Sequence, residues 1–211
     1  MSIDWLQEVQ AKDRRHNRIL FSRESACLQS LLEPIREQNR RTLVLWALRC
    51  AETPLAILRE HCPGELRPEN AVSLSRQWAA GKIKMPAAKR AILQAHEAAK
   101  EMGNPADAAR CHAVAQACST VHTEAHAIGL PVYELTAIVR EKGISCCREA
   151  VEARIVEYTA CLYSCAEETS RERNRAEKWA AFLLDDSRPN KEKLLYEKQL
   201  QRSRLTDGSH P

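Results

Sequence analysis

The stretch from Ala106 to Val139 constrains the fold most, because it has almost no bulky side chains and almost no charge, yet carries three histidines. Small residues around these histidines allow neighbouring helices to approach closely. If Cys111–Gly129 is one helix, with about 100° of rotation per residue, His112, His122 and His126 fall on an arc of roughly 80°. The stretch therefore predicts a central helix with a polar seam in a core of small residues.

Prolines and glycines divide the rest of the chain into helix-sized segments. Pro68 and Pro86 stand where a first helical turn would begin, and Gly81 stands where a helix would stop. Apolar residues recur at three- and four-residue spacing, as in residues 40–60, and no stretch shows the period-two alternation of a strand. The aromatic share is only 5%. We predict an all-α fold, a multi-helix bundle of about nine helices with no sheet.

Several interruptions of these helices are predicted. Pro34 should kink or end a helix near Glu33, and Pro54 should bend the helix of residues 40–60 around Cys50–Glu52. Residues 2–21 favour a first helix, and the central helix should stop at Gly129.

For domain organisation, we expect one helical domain over residues 1–184. Residues 185–211 should add a C-terminal helix and a disordered tail, with the disorder over 205–211.

The cysteines indicate a reducing compartment. The chain has nine of them, but pairs such as Cys111/Cys118 and Cys161/Cys165 have helix-face spacings at which a disulfide is geometrically poor. The N-terminus has no apolar core of a secretory signal, and no apolar run reaches the roughly 18 residues of a membrane span. We expect a cytoplasmic protein with reduced thiols and no membrane partner.

The charge pattern argues against a nucleic-acid partner. The net charge is only +4, and the basic excess is dispersed over residues 41–104 rather than gathered in a stripe. The basic run Lys12–Arg18 is the one feature that weakly motivates nucleic-acid binding. We interpret it as a solvated helix face.

The histidines are the sharpest chemical candidates. His122 and His126 have the i, i+4 spacing of a two-histidine zinc site, but Glu124 between them points to the other face. Such a site would need a third ligand, from His112, His96 or a cysteine such as Cys118. The favoured interpretation is structural, with neutral, half-buried rings that hydrogen-bond across helices. The predicted structural polar seam consists of His96, His112, His122, His126 and Tyr133.

No catalytic signature stands out. Cys118 lies four residues from His122, which meets only the spacing requirement for a cysteine nucleophile. The phosphate-binding and nucleophile-elbow motifs are missing, as is any pair of carboxylates with catalytic spacing. We therefore predict no enzymatic activity and no cofactor.

Three segments in the same order resemble the helical immunity proteins of bacterial polymorphic toxin systems. They read RRTLVLWALRCAE, RPENAVSLSRQWAAGKIKMPAAKRAILQAHEAAKE and AARCHAVAQACSTVHTEAHAIGLPVYELTAI, and together cover about residues 40–140. Their landmarks are Trp46, Arg67–Pro68, Trp78, Gly81, His96, His112, His122, His126 and Tyr133. Cys111 and Cys118 depart from the pattern, since small residues are expected there.

The resemblance implies a small cytosolic protein that binds a cognate toxin protein and blocks it. Such a protein needs a stable scaffold and a complementary surface. The alternative that the residues leave open is a metal-binding helical bundle or metalloenzyme built on His112, His122 and His126.

Overall fold

The computed structural model describes residues 4–171, 178–187 and 189–207. These residues form α-helices joined by turns and short 3-10 segments, and they contain no strand, so the predicted all-α fold is confirmed. The α-helices are α1 (Trp5–Arg14), α2 (Gln29–Arg36), α3 (Arg40–Cys50), α4 (Glu52–His61), α5 (Arg67–Ala79), α6 (Met85–Glu101), α7 (Pro105–Ser119), α8 (Gly129–Lys142), α9 (Arg148–Arg171) and α10 (Lys191–Asp207).

Helix α7 lies at the centre of the bundle, packed against α3, α4, α5, α6 and α8. It is buried on nearly every side, as expected of a helix whose apolar residues do not form a single stripe. On the side that meets α6 it contributes Cys111, Val114, Ala115 and Cys118, which share one apolar cluster with alanines of α6. The buried alanines of α6 are Ala88, Ala91, Ala95, Ala98 and Ala99.

Two apolar clusters flank α7. The first core joins α1, α2, α3, α8 and α9 around Trp46 and Tyr158, both fully buried. The second core joins α4, α5, α6 and α7, with Leu183 added from the C-terminal segment. Helices α3 and α7 contribute to both clusters, so they form the wall between them.

Most of the predicted helix boundaries follow from local chemistry. Pro68 and Pro86 stand in the first turns of α5 and α6. Gly81 follows α5 with a φ of 71°, a conformation that favours glycine. The predicted bend near Cys50–Glu52 is confirmed, because the chain turns at Ala51 between α3 and α4.

The prediction of one helix over Cys111–Gly129 is wrong. Helix α7 ends at Ser119, whose hydroxyl donates to the Ala115 carbonyl at 2.9 Å. The Arg40 guanidinium then donates to the carbonyls of Val121 and His122, at 3.0 and 2.7 Å. These bonds from a distant helix satisfy backbone groups that a continuous helix would have paired internally.

The chain resumes its helical path differently from the prediction. A 3-10 turn occupies Glu124–His126, and Gly129 begins α8 instead of ending a helix. Pro131 lies in the first turn of α8, where its missing N–H costs nothing.

Other boundaries also differ. Helix α1 spans Trp5–Arg14 rather than residues 2–21, and His16 adopts a φ of 56° just after it. Pro34 lies inside α2, which continues to Arg36. Residues 205–207 belong to α10 rather than to a disordered tail, and residues 208–211 lie outside the described residues.

All nine cysteines are unpaired. Among the described residues, no helix has the length and apolar character needed to cross a membrane.

Candidate functional site

A polar seam runs between α6, α7 and α8, and His96 and His112 are its centre. Their Nδ1 atoms lie 2.8 Å apart and their rings are 5.1 Å apart. The Tyr133 ring of α8 lies 5.0 Å from the ring of His112. All three side chains are half-buried, so the seam is open to water along one edge.

His126 extends the seam through a side chain that sequence reasoning missed. Its Nδ1 lies 2.9 Å from Oε1 of Gln116, one turn along α7 from His112. Gly129 packs against the same amide, because a Cβ built on Gly129 would lie only 2.6 Å from Gln116 Oε1. A methyl group at position 129 would therefore push the amide away from His126.

His122 does not join this arrangement. It is exposed, and its ring stacks on the Trp78 ring with centroids 6.2 Å apart. The separation follows from the end of α7 at Ser119, which removes the helical spacing that would have placed it beside His126. The structure therefore brings His96, His112, His126 and Tyr133 into one seam and places His122 against Trp78.

Burial keeps the seam histidines neutral at physiological pH. Burial, followed by the positive charge that His112 and then His126 would carry, lowers the pKa of His96 to about 4. Burial also lowers the pKa values of His112 and His126. Neutral imidazoles each offer one donor and one acceptor, which suits hydrogen bonds between helices.

The structure does not support the alternative of a metal site on the histidines. Among the described residues, no three His, Cys, Asp or Glu side chains are grouped so that they could hold a metal ion. Cys118, the fourth candidate ligand, is fully buried in the second core. The predicted combination of His112, His122, His126 and Cys118 is thus not assembled.

A groove of about 690 Å³ lies where the junction of α2 and α3 meets the start of α10. Its polar lining carries charges of both signs, and three apolar side chains, Phe182, Pro189 and Leu194, also face it. His122 forms part of its wall, which is where the structure places that predicted site residue.

Asn190 holds this groove together. Its side-chain amide donates to the carbonyls of Ile35, Arg36 and Gln38, at 2.9, 3.0 and 2.8 Å. Its Oδ1 accepts from the Lys193 backbone N–H at 3.1 Å and so caps α10. One buried residue therefore provides hydrogen-bond partners for free carbonyls at the end of α2 and for a free N–H at the start of α10.

Ion pairs line the groove on both sides. Lys193 Nζ lies 3.1 Å from a Glu37 oxygen, and Arg40 Nε lies 3.5 Å from a Glu124 oxygen. The Arg36 guanidinium stacks on the Tyr196 ring at 3.9 Å. Its buried Nε has no hydrogen-bond partner among the described residues, so this wall retains an unused donor.

Sequence reasoning missed the groove because its residues are far apart in the chain. Asn190 and Arg40 carry no motif, and the signal for each is only its position just before or at the first turn of a helix. The sequence shows that residues 182–200 include several apolar side chains, but it does not show that these side chains are exposed.

Comparison with known proteins matches the chain to a family. The family model described as "Imm-5 like putative immunity protein" matches residues 33–161. The match begins in α2 and ends within α9, so it includes the whole histidine seam. No curated protein and no solved structure shows significant similarity to the chain.

Proposed function

Because the chain belongs to the Imm-5 like immunity protein family, we propose that it binds a cognate bacterial toxin and blocks its activity. The family match over residues 33–161 is the observation that carries this proposal. In this proposal the protein acts by occupying a surface of the toxin, with no catalysis and no cofactor of its own. The unpaired state of all nine cysteines supports a cytoplasmic site of action.

A binder of this kind needs a rigid scaffold, and a buried polar network supports one. Glu134 of α8 accepts from Arg154 Nε at 2.9 Å and from the Tyr158 hydroxyl. Arg154 also donates to the Cys50 carbonyl at 3.0 Å, and the Tyr158 carbonyl accepts from the Trp46 indole at 2.9 Å. The network fixes α3, α8 and α9 relative to one another, so a surface built on them is preorganised.

We place the toxin contact at the groove between the α2–α3 junction and α10. Five of the ten large apolar side chains that are exposed in the described part of the chain lie between residues 182 and 200, which concentrates apolar contact area at this end. They are Phe182, Leu194, Leu195, Tyr196 and Leu200. Exposed apolar side chains beside charged ones are typical of a protein interface with a polar rim.

An exposed lysine supports the same surface. Lys191, at the start of α10, lines the groove, and its ammonium group would pair with a carboxylate of a toxin segment held there. The groove volume suits a few side chains of an inserted loop rather than a whole helix. This arrangement predicts that a protruding toxin segment with an acidic or amide side chain is recognised.

Co-expression tests the function directly. The first step is to identify a toxin-domain gene beside this gene in the native genome, and its product is then expressed with and without the full chain. We expect growth to be restored and the two proteins to copurify in a fixed stoichiometry. If the toxin kills cells equally in both cases and no complex forms, the immunity function is wrong for this pair.

A further inference from the structure

Helix α9 carries an apolar stripe on the side that faces water, and the proposed function does not use it. Its members are Ala153, Val156, Ala160 and Tyr163, all exposed. Val156 is 68% exposed and Tyr163 is 54% exposed. The spacing of three, four and three residues is that of the seam of a coiled coil, so the four side chains follow one line along the helix. The residues of α9 that join the first core lie on its other side, which leaves this stripe open to solvent.

The border of the stripe is charged, but its charges are largely balanced within α9 itself. Three ion pairs join neighbouring turns of the helix, namely Arg148 with Glu152 at 3.4 Å, Arg154 with Glu157 at 2.7 Å and Arg171 with Glu167 at 3.2 Å. Such a border offers little attraction to a strongly charged partner such as a nucleic acid. It suits a partner whose own border is balanced in the same way, and a second copy of the chain is such a partner.

A second copy of α9 complements the stripe when the two helices run antiparallel. With the two-fold axis beside position 158, midway along the stripe, Val156 of one copy faces Ala160 of the other. Tyr163 of one copy then faces Ala153 of the other. Each large side chain meets a small one in both halves of the contact, which allows close packing. A parallel pair would instead set Tyr163 against Tyr163 and Ala160 against Ala160, and the alanine layers would leave gaps.

The flanking carboxylates also favour the antiparallel direction. In a parallel pair, Glu152 of each copy would lie beside Glu157 of the other, which gives two contacts between like charges. In the antiparallel pair only the two Glu157 side chains approach each other, and each is already paired with its own Arg154. At the ends of the stripe, Glu149 of one copy faces Glu167 of the other. These acidic ends confine the contact to the apolar residues between them.

We propose that two copies of the protein associate through the α9 stripe into an antiparallel, two-fold symmetric dimer. Val156 and Tyr163 are the large side chains of its interface, and each fits over an alanine of the other copy. The same patch serves both subunits, so the interface is closed and no chain of copies grows from it. A single helix face buries less surface than a standard interface, so we expect a dissociation constant on the order of 10–100 µM.

This dimer leaves the groove of each subunit open. Ser170, near the end of α9, lines the groove, and it lies roughly 21 Å along the helix from Val156 at 1.5 Å per residue. Antiparallel pairing places the two grooves toward opposite ends of the paired helices. Each subunit therefore keeps its own toxin-binding surface, and the dimer stands or falls independently of the proposed function.

Analytical ultracentrifugation of the full chain tests the dimer, over concentrations from well below to well above the expected dissociation constant. We expect the average mass to rise from one chain toward two, and added salt should not reverse this rise. Val156→Asp places a charge in the stripe of both copies and should weaken association at least about tenfold. Leu93→Asp is the matched control, since Leu93 is 52% exposed on α6 and lies outside the stripe. A wild-type chain that stays monomeric, or equal weakening by the two variants, would overturn the proposal.

Disulfide cross-linking tests the direction of the two helices. Val156→Cys and Ala160→Cys are each made together with Cys146→Ser, which removes the exposed native thiol. The two proteins are oxidised separately and as a mixture, and the linked peptides are identified by mass spectrometry. We expect a cross-link between positions 156 and 160 in the mixture and little cross-linking of either protein alone. Cross-links that join only identical positions, or no cross-link in any sample, would contradict the antiparallel dimer.

Discussion

The Nδ1 atoms of His96 and His112 lie 2.8 Å apart, so one neutral ring donates to the other across the interface of α6 and α7. Such a bond requires opposite tautomers, since a neutral imidazole has only one N–H. A proton added to the accepting ring would place two N–H groups face to face. The pair therefore ties the packing of these two helices to the protonation state of the seam.

We expect the free energy of unfolding to fall as the pH drops from 6.5 toward 4. The folded pKa of His96, about 4, lies below its ordinary value of 6.5, so the unfolded chain binds more protons in this interval. The loss should amount to roughly 1–3 kcal/mol, because one pKa unit is worth about 1.4 kcal/mol and partial contact with water reduces the full value.

Urea denaturation at several pH values measures this loss, and H96N is the comparison. The variant removes the titrating ring, so its stability should vary less between pH 4 and 6.5. His126 and Lys100, whose positive charges also lower the pKa of His96, are kept in both proteins. Identical pH profiles for the two proteins would contradict the assignment to His96.

His112→Ala should lower the free energy of unfolding by roughly 1–3 kcal/mol, because it removes the bond to His96 and leaves that half-buried ring unpaired. His122→Ala is the matched control, since its ring is exposed and lies on Trp78. We expect it to cost less than about 1 kcal/mol. Equal losses in chemical denaturation would show that the seam has no special structural role.

Glu134→Ala should cost up to roughly 3–5 kcal/mol, because it leaves the buried Arg154 guanidinium with only the exposed Glu157 carboxylate as an ionic partner. The double variant E134L/R154M removes both charges and should recover much of that loss. Thermal or chemical unfolding of the three proteins completes the comparison. A double variant less stable than E134A would indicate that the network stabilises the fold beyond the cost of burying its charges.

Asn190→Ala should free the first turn of α10 and expose the end of α2. The variant loses three carbonyl contacts and the α10 cap, at a cost of about 1–2 kcal/mol. Hydrogen exchange should show faster exchange in α10 while α7 stays protected. Unchanged exchange at residues 191–202 would mean that other contacts, such as Lys193 with Glu37, are sufficient.

Leu194→Asp should weaken toxin binding at least about tenfold, because it places a charge in the apolar part of the groove. Val156→Asp is the control, since Val156 is 68% exposed on α9 and does not line the groove. Titration calorimetry with the cognate toxin compares them. If only the Val156 variant loses affinity, the contact surface is on α9, and the immunity function itself is unaffected.

The helical fold could be predicted from the sequence because helix-ending prolines and glycines and the spacing of apolar residues act over short stretches of chain. Pro68, Pro86 and Gly81 act through their own backbone, and each marks the boundary it was expected to mark. The end of α7 could not be predicted in this way. Arg40, about 80 positions earlier, satisfies the carbonyls of Val121 and His122 and so stabilises a turn within a stretch of good helix formers.

Part of the site has a basis in the sequence. Helical spacing suggested a shared face for His112 and His126, and the family resemblance added His96 and Tyr133. The structure places these four side chains in one seam. Gln116 was missed because nothing in the sequence distinguishes it from other glutamines on a helix. The position of His122 was predicted wrongly because α7 ends at Ser119, before reaching it. The groove is formed by contacts between segments that are far apart in the chain, such as the hydrogen bond from Asn190 to the Ile35 carbonyl. Local sequence patterns do not predict contacts of this kind.

The first core has a consequence for the way the family is delimited. Phe21, Leu28 and Leu31 lie before residue 33, where the family match begins, yet they are buried in the same cluster as Trp46 and Leu130. Leu162 and Cys165 lie beyond the other limit and are buried there too. The segment that matches the family model is therefore shorter than the segment that must be present for its core to fold. A fragment of residues 33–161 would expose apolar core residues, so it should aggregate and be poorly soluble. If such a fragment failed to bind a toxin, that result would say nothing about the intact protein.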